Sequence, residues 1–473
     1  MKFLRVISVI LCLSLLLCSP CCVWATQTGE QDSVAVSSGA HSFDAAVPYL
    51  KMQEPVENAT AVFLYETGTD TLMYAQSPDM QIYPSSLVKI LTALIAVERG
   101  ELTTVITADQ QTLSAVPSDA VTADLKAGEQ ITLNDLLYCM MVGSANDAAS
   151  VIAAHISGSE AAFVEEMNRY AEDLGCTASK FTNPHGLHDP EQVSTVRDLG
   201  RIVSAAIANE KFMTYFSEIK YTVPATNMSE ERELVSKNFL RNNTDMKIYH
   251  DPRVTGGRTG IANDGSNCLA VSAESDGLSL VCILMGAESK FAANGNTEVY
   301  GGFKEITALM DGVFGVYRAA QIFYEGQTLR QYPVVNGAND VVAGADRAVT
   351  TLLPVNTTPD KLDYRYFDIS RELQAPVKKG QAVSKVEVWH NNMCVAQAEL
   401  LAMNAVPVYT PVSQDLQKDS GGVLRILGGI LLWTAVIGVA GVGILFLVRK
   451  VNVISTQRKR EQERRKNRRR ERK

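Results

Sequence analysis

Tyr83-Pro-Ser-Ser-Leu-Val-Lys-Ile-Leu-Thr-Ala-Leu-Ile-Ala-Val-Glu-Arg-Gly100 is the stretch on which the reading of this chain turns. Leu87, Ile90, Leu91, Leu94 and Ile95 recur at helical spacing, so it predicts an amphipathic helix. Pro84 and Ser85 suit its first turn and Gly100 its end. Ser86 and Lys89 fall three residues apart on one face, where a hydroxyl and an amine can meet. An alcohol is a weak nucleophile at neutral pH. A lysine serves as its base when burial, or a second cation, favours the neutral amine. The N–H groups of a first helical turn also suit a developing oxyanion. The pair is not specific alone: Ser217 and Lys220 repeat the spacing and read as a surface coincidence. In isolation, Lys89 reads rather as a solvated helix residue.

Two further polar clusters lie downstream. Gly143-Ser144-Ala145-Asn146 breaks two apolar helical segments, one opening at Thr132-Leu-Asn-Asp and the other near Asp147. A serine and an asparagine held at such a corner can point into a cleft. Alternatively, Ser144 only caps the second helix, and Ser236 to Asn238 repeats the pattern. Gly256-Gly-Arg-Thr-Gly-Ile261 precedes two apolar runs joined by Ser275-Asp276-Gly277, a hairpin signal. Arg258 therefore belongs on a strand entering an antiparallel sheet, with glycines that admit a ligand to the backbone. Its guanidinium suits a carboxylate, and the structural alternative is an arginine on a sheet edge. Ala61 to Glu66 and Thr71 to Gln76 predict another hairpin, and Thr195 to Asn209 a packing helix. His185, His188 and Asp189 share a turn-rich loop, but no third histidine or Cys pair lies near. The expectation there is no metal and no cofactor.

With 473 residues, 46% hydrophobic and 20% charged, the chain is long enough for two or three domains with real cores. Residues 1–25 read as a secretory signal, with Lys2 and Arg5 before an apolar run and Val23-Trp-Ala25 as the cleavage pattern. A lipoprotein cysteine at Cys18 or Cys21 fits its neighbours poorly. The other five cysteines, Cys139, Cys176, Cys268, Cys282 and Cys394, are scattered and odd in number, and read as free thiols rather than a disulfide framework. Residues 26–50 read as a flexible lead-in and 51–323 as one domain, with a helix from Phe303 to about Phe323. Residues 324–412 alternate short Val-rich runs with turns and read as a small all-β domain. After a polar stalk over 413–425, Ile426 to Val448 is free of charge for 23 residues and predicts a membrane span. Residues 449–473 hold 13 Lys/Arg against three Glu, a net of +10. Since the whole chain carries −8, residues 1–448 carry −18. A basic flank stays on the cytoplasmic side, which places the acidic globule outside the cell on a single-pass anchor. Read as a topology signal or a contact with anionic lipid, the tail needs no nucleic-acid partner.

Ser86-Leu-Val-Lys89, Ser144-Ala-Asn146 and Arg258-Thr-Gly260, in this order and at domain-scale separations, form a trio close to that of penicillin-binding proteins and class A β-lactamases. The sequence resembles the low-molecular-mass penicillin-binding proteins of peptidase family S11, the D-alanyl-D-alanine carboxypeptidases. The hairpin leading into Tyr83-Pro-Ser-Ser86, the loop Phe181-Thr-Asn-Pro-His-Gly-Leu187 and the segment Leu373-Gln-Ala-Pro-Val-Lys-Lys-Gly380 also look like that family. The resemblance spans roughly residues 50–410. It implies an α+β fold: a serine transpeptidase/β-lactamase-like domain, its antiparallel sheet flanked by helices, then the β domain. It further implies that Ser86 attacks the bond between the terminal D-alanines of a peptidoglycan stem peptide and Lys89 takes its proton. Ser144 would relay a proton to the leaving amine, and Asn146 would position the substrate amide. Arg258 and Thr259 would hold the terminal carboxylate, with Gly260 also in the substrate-binding stretch and the N–H groups of Ser86 and Ile261 as oxyanion hole. β-Lactam antibiotics would trap Ser86.

The family usually carries Lys where this chain has Arg258, and relatives often end in an amphipathic helix rather than a full span. A β-lactamase would need a glutamate for the deacylating water, and no Arg-x-x-Glu-x-x-Leu-Asn-like stretch lies between Ser144 and Arg258. The non-enzymatic alternative is a wall-binding protein that keeps the fold with little turnover.

Overall fold

The computed structural model describes residues 49, 55–242, 246–291, 298–410 and 420–470. The expected signal at 1–25, and the lead-in at 26–50 apart from Tyr49, lie outside these. The chain divides into two units, one up to Pro407 and one from Val408.

In the first unit, β1 (Ala61–Glu66) and β2 (Thr71–Gln76) form the expected hairpin. The Glu66 carboxylate holds the turn by accepting from the Thr69 N–H at 2.7 Å and the Ser279 N–H at 3.0 Å. A 3₁₀ turn, Ser85–Leu87, opens directly into α1 (Val88–Arg99). Next come α2 (Leu133–Met141) and α3 (Asn146–Ser157), then α4 (Glu160–Asp173) and α5 (Val196–Ile207). Thr132 and Thr195 cap α2 and α5 by accepting from N–H groups three residues on. After β3 (Val254–Ile261), β4 (Asn267–Ser275) and β5 (Leu278–Ala287) make a second hairpin. Its turn, Asp276 and Gly277, takes φ of 54° and 75°, the paired left-handed geometry a two-residue hairpin needs.

These strands form one antiparallel sheet in the order β2-β1-β5-β4-β3. β1 is thus an interior strand and the strand with Arg258 lies at the edge. Every residue of β1 is buried, because both faces of the sheet are covered. Ala61, Phe63 and Tyr65 join the core under α1–α5, with Leu91, Leu94, Leu137, Ile152 and Val203. Val62 and Leu64 face the other way, toward α6 (Phe303–Asp311).

That second core runs on into the β-rich part without a break, through Phe323, Val341, Leu352, Val386 and Leu400. Tyr49 crosses into it, donating its hydroxyl to the Leu352 carbonyl at 2.8 Å. The expected helix from Phe303 to Phe323 needs correction. It stops at Asp311, and Tyr317–Phe323 is a strand, β6. Gly315, at φ 75°, sits in the turn between them. β7 (Thr328–Tyr332) and β8 (Val341–Ala345) follow, and β9 (Val349–Pro354) pairs with β6. The expected boundary at residue 324 therefore cuts off a strand that pairs inside the β-rich part. With β10 (Asp363–Asp368), β11 (Ala382–His390) and β12 (Met393–Ala402), the remaining strands form a sheet in the order β7-β8-β12-β11-β10. All five described cysteines are free, four of them buried.

The second unit is a single helix, α7 (Ser420–Arg470). Residues 420–425, expected as stalk, are already helical. Its apolar stretch, Ile426–Thr456, has the length and composition to cross a membrane. Thirty-one residues at ~1.5 Å each exceed the ~30 Å of a hydrocarbon core. It is a candidate membrane anchor.

Candidate active site

Ser86 lies in the 3₁₀ turn ahead of α1, half-buried, at the floor of a cleft of about 730 Å³. The turn is locked from two sides. Ser85, at φ 50°, donates its hydroxyl to the Ile261 carbonyl at 2.7 Å. A Cβ on Gly186 would stand 2.0 Å from the Ser85 carbonyl oxygen, and one on Gly260 would stand 3.0 Å from the Ser86 nitrogen. At Gly186 only glycine permits such an approach, and at Gly260 a side chain would crowd the turn. A residue in an antiparallel strand turns its N–H and C=O to the same edge. The Ile261 N–H therefore faces the edge on which its carbonyl meets Ser85.

Lys89 is fully buried one turn below Ser86. Its Nζ lies 3.4 Å from the Ser86 Oγ and 2.7 Å from the Asn146 Oδ1, and also donates to the His185 carbonyl. The Asn146 Nδ2 donates to the Val121 carbonyl at 2.9 Å, which fixes the amide with its oxygen toward Lys89. Burial first, and the Arg258 cation second, push the Lys89 pKa well below the ordinary lysine range, against a smaller opposite pull from Asp147. Asp147 is spoken for elsewhere, accepting from the N–H groups of Ala123, Leu125 and Ala148 at 2.8–3.0 Å. A neutral amine has two N–H bonds and one lone pair. With Asn146 and His185 taking the two protons, the lone pair is left for Ser86.

Ser144 does not cap α3: Ala145 is the cap residue, and Ser144 takes φ 65° in the corner before it. That corner turns the hydroxyl into the cleft, where the Arg258 Nη2 donates to its Oγ at 2.6 Å. Arg258 also donates from Nη1 to the Met141 carbonyl at 2.8 Å, and its Nε reaches the Ser86 carbonyl at 3.4 Å. Burial lowers its pKa to about 10, so it stays charged at neutral pH. Thr259 and Ile261 line the same cleft. All eight residues singled out in the sequence thus meet at one place.

Reading the sequence placed a turn-rich loop at residues 181–187 but missed what its backbone does beneath them. Gln192, 2% exposed, accepts from the Thr182 and Asn183 N–H groups at 3.0 and 3.1 Å, and Asn183 accepts from Gly186 at 2.7 Å. The tied loop presents two successive carbonyls to α1: Pro184 to the Thr92 hydroxyl at 2.6 Å and His185 to Lys89. Backbone carbonyls leave no trace in residue type, so only the glycine and the turn residues hinted at it. The His185 Nδ1 accepts from the Leu187 N–H at 3.2 Å, while His188 lies against the Tyr83 ring instead. Burial, with the Lys89 charge, pushes the His185 pKa down to about 3, so its 3.8 Å approach to Glu160 joins no charges. Among the described residues no cluster of three or more His, Cys, Asp or Glu could hold a metal.

This geometry has counterparts. Residues 50–289 match the peptidase S11 family model, described as D-alanyl-D-alanine carboxypeptidase, and residues 317–408 match the C-terminal domain of penicillin-binding protein 5. The D-alanyl-D-alanine carboxypeptidase DacA of Haemophilus influenzae is 28% identical over 382 residues, 78% of this chain and 91% of that protein. DacF of Bacillus subtilis is 26% identical over 360 residues, covering 74% of this chain and 87% of its own. The crystal structure of penicillin binding protein 5 from Haemophilus influenzae superposes with a TM-score of 0.61 at 26% identity, across 76% of this chain and 100% of that one. A buried lysine under a glycine-locked serine, and a match over both folded parts, place this chain in the D-alanyl-D-alanine carboxypeptidase family of serine peptidases.

Proposed function

We propose that the cleft removes the terminal D-alanine from peptidoglycan stem pentapeptides through an acyl-enzyme on Ser86. The observation that carries this reading is the partner set of the Lys89 Nζ, which uses both protons of a neutral amine and leaves its lone pair 3.4 Å from the Ser86 Oγ. Lys89 is then the general base. As Ser86 attacks the carbonyl between the two D-alanines, the N–H groups of Ser86 and Ile261 receive the oxyanion. Ser144 protonates the leaving amine. Asn146 holds the lysine, and its second Nδ2 proton is available to the substrate amide. Thr259 meets the terminal carboxylate beside the backbone of Gly260, with the Arg258 charge behind it. Water then releases the acyl group. Penicillins follow the same first step and remain on Ser86.

On this reading the span over 426–448 anchors the enzyme, with residues 449–473 in the cytoplasm and the acidic catalytic unit outside. Incubation with a stem pentapeptide and with labelled penicillin tests the proposal. Wild-type protein releases D-alanine and keeps the label, and Ser86→Ala does neither. A label that is taken up and quickly shed would mark a β-lactamase instead, and no uptake a wall-binding protein without turnover.

A further inference from the structure

The guanidinium of Arg258 has five N–H donors and no acceptor. Three are engaged inside the protein, on the Met141 carbonyl, the Ser144 hydroxyl oxygen and the Ser86 carbonyl. The side chain is 5% exposed. Its fork is turned toward the α2–α3 corner and the nucleophile turn. The strand position expected from the sequence is right, and the arginine lines the cleft with little of its surface exposed, three of its donors being engaged inside the protein.

Ser144 has one proton and accepts at 2.6 Å from a group that can only donate. Its own O–H therefore points away from Arg258, and Ser144 lines the cleft. We infer, resting on the mechanism proposed above, that Arg258 is a positioning residue acting on Ser144 rather than a clamp on the substrate. It holds that hydroxyl as a one-way donor into the cleft and exchanges no proton itself. The proton count closes without it. Ser86 gives its proton to the Lys89 lone pair as its oxygen bonds to the carbonyl carbon. Ser144 gives its proton to the D-alanine nitrogen as the C–N bond breaks, and the Lys89 ammonium then restores it. The net transfer is from Ser86 to the departing amine. Arg258 stabilises the Ser144 oxygen while that oxygen lacks its proton.

A lysine at 258 differs in kind, because an ammonium can release a proton and take one back from Ser144. The groups facing Lys89 are Arg258 from β3, Asp147 from α3, and the neutral His185 ring from the loop beneath. Only residue 258 changes its ability to titrate in Arg258→Lys.

The test compares kcat/KM against pH for wild type, Arg258→Lys, Ser144→Ala and the double variant. The substrates are a pentapeptide with a free terminal carboxylate and its C-terminal amide. Expected for Arg258→Lys is an alkaline fall-off that sets in at lower pH than in wild type, with the preference for free acid over amide retained. With Ser144→Ala already present, Arg258→Lys brings no such alkaline shift, since the residue it acts through is gone. Thermal unfolding of each variant confirms that it is folded. The assignment is overturned if Arg258→Lys keeps the wild-type profile while KM rises for the free acid and not for the amide, for then the arginine grips the carboxylate. A wild-type protein that neither releases D-alanine nor takes penicillin on Ser86 would instead remove the mechanism on which this assignment rests.

Discussion

Gly186 and Ser85 touch so closely that a single methyl group on the glycine would lie 2.0 Å from the serine carbonyl oxygen. Gly186 also takes φ 83°, which an L side chain rarely adopts. Gly186→Ala must therefore push the nucleophile turn away from its place over Lys89. Displacing a reacting group by ~1 Å costs about a hundredfold in rate, and kcat for D-alanine release should fall by about that factor. Gly158, at φ 80° with nothing within 4 Å of an added Cβ, is the control. Gly158→Ala should cost ~1 kcal/mol of stability and leave turnover intact.

Lys89 makes folding stability depend on pH. Its folded pKa lies well below the ordinary 10.5, so between those limits the unfolded chain binds a proton that the folded chain does not. Stability from this group rises with pH across that window and is lost as pH falls through the folded value, with a slope of up to ~1.4 kcal/mol per pH unit. Denaturant unfolding at several pH values should show this slope in wild type and its absence in Lys89→Met. The same variant should fail to acylate at any pH.

Asn146 touches the base through an oxygen that carries no net charge. Asn146→Asp would set a carboxylate 2.7 Å from the Lys89 Nζ and favour the ammonium. The acidic limb of kcat/KM should move up by about one to three pH units. A pH profile of D-alanine release measures it. An unmoved limb would separate Lys89 from the rate-determining proton transfer.

Ending the chain at Pro407 keeps the first unit whole and removes α7. The product should stay in solution without detergent, take labelled penicillin on Ser86 and turn over at the full-length rate. Fractionation and labelling of both forms check this.

Much of the site was legible because its parts carry local signals. Ser86 and Lys89 share a helix face, Asp276-Gly277 dictates its hairpin, and Thr132 and Thr195 are cap residues before apolar periods. What the sequence hid depends on contacts made across the fold. The Asn146 amide is oriented by the carbonyl of Val121, 25 residues away. His185 meets Lys89 through its backbone carbonyl, while its ring is taken up by the Leu187 N–H. Arg258 reads as a ligand for a substrate, yet three of its donors turn inward. The false helix after Asp311 has a local cause. Val313, Phe314, Tyr317, Ala320 and Phe323 mimic a helical period, and only Gly312 and Gly315 interrupt it.

The interior place of β1 in its sheet, between β2 and β5, bears on when this protein becomes an enzyme. Its neighbour β5 ends only at Ala287, more than 220 residues later in synthesis than Glu66. A nascent chain that has emerged only as far as Ser144 holds the serine and the lysine but not the edge strand that closes around them. Wall peptides and antibiotics alike meet a competent pocket only once almost all of the catalytic half has left the ribosome, so fragments from early termination should be inert rather than partly active.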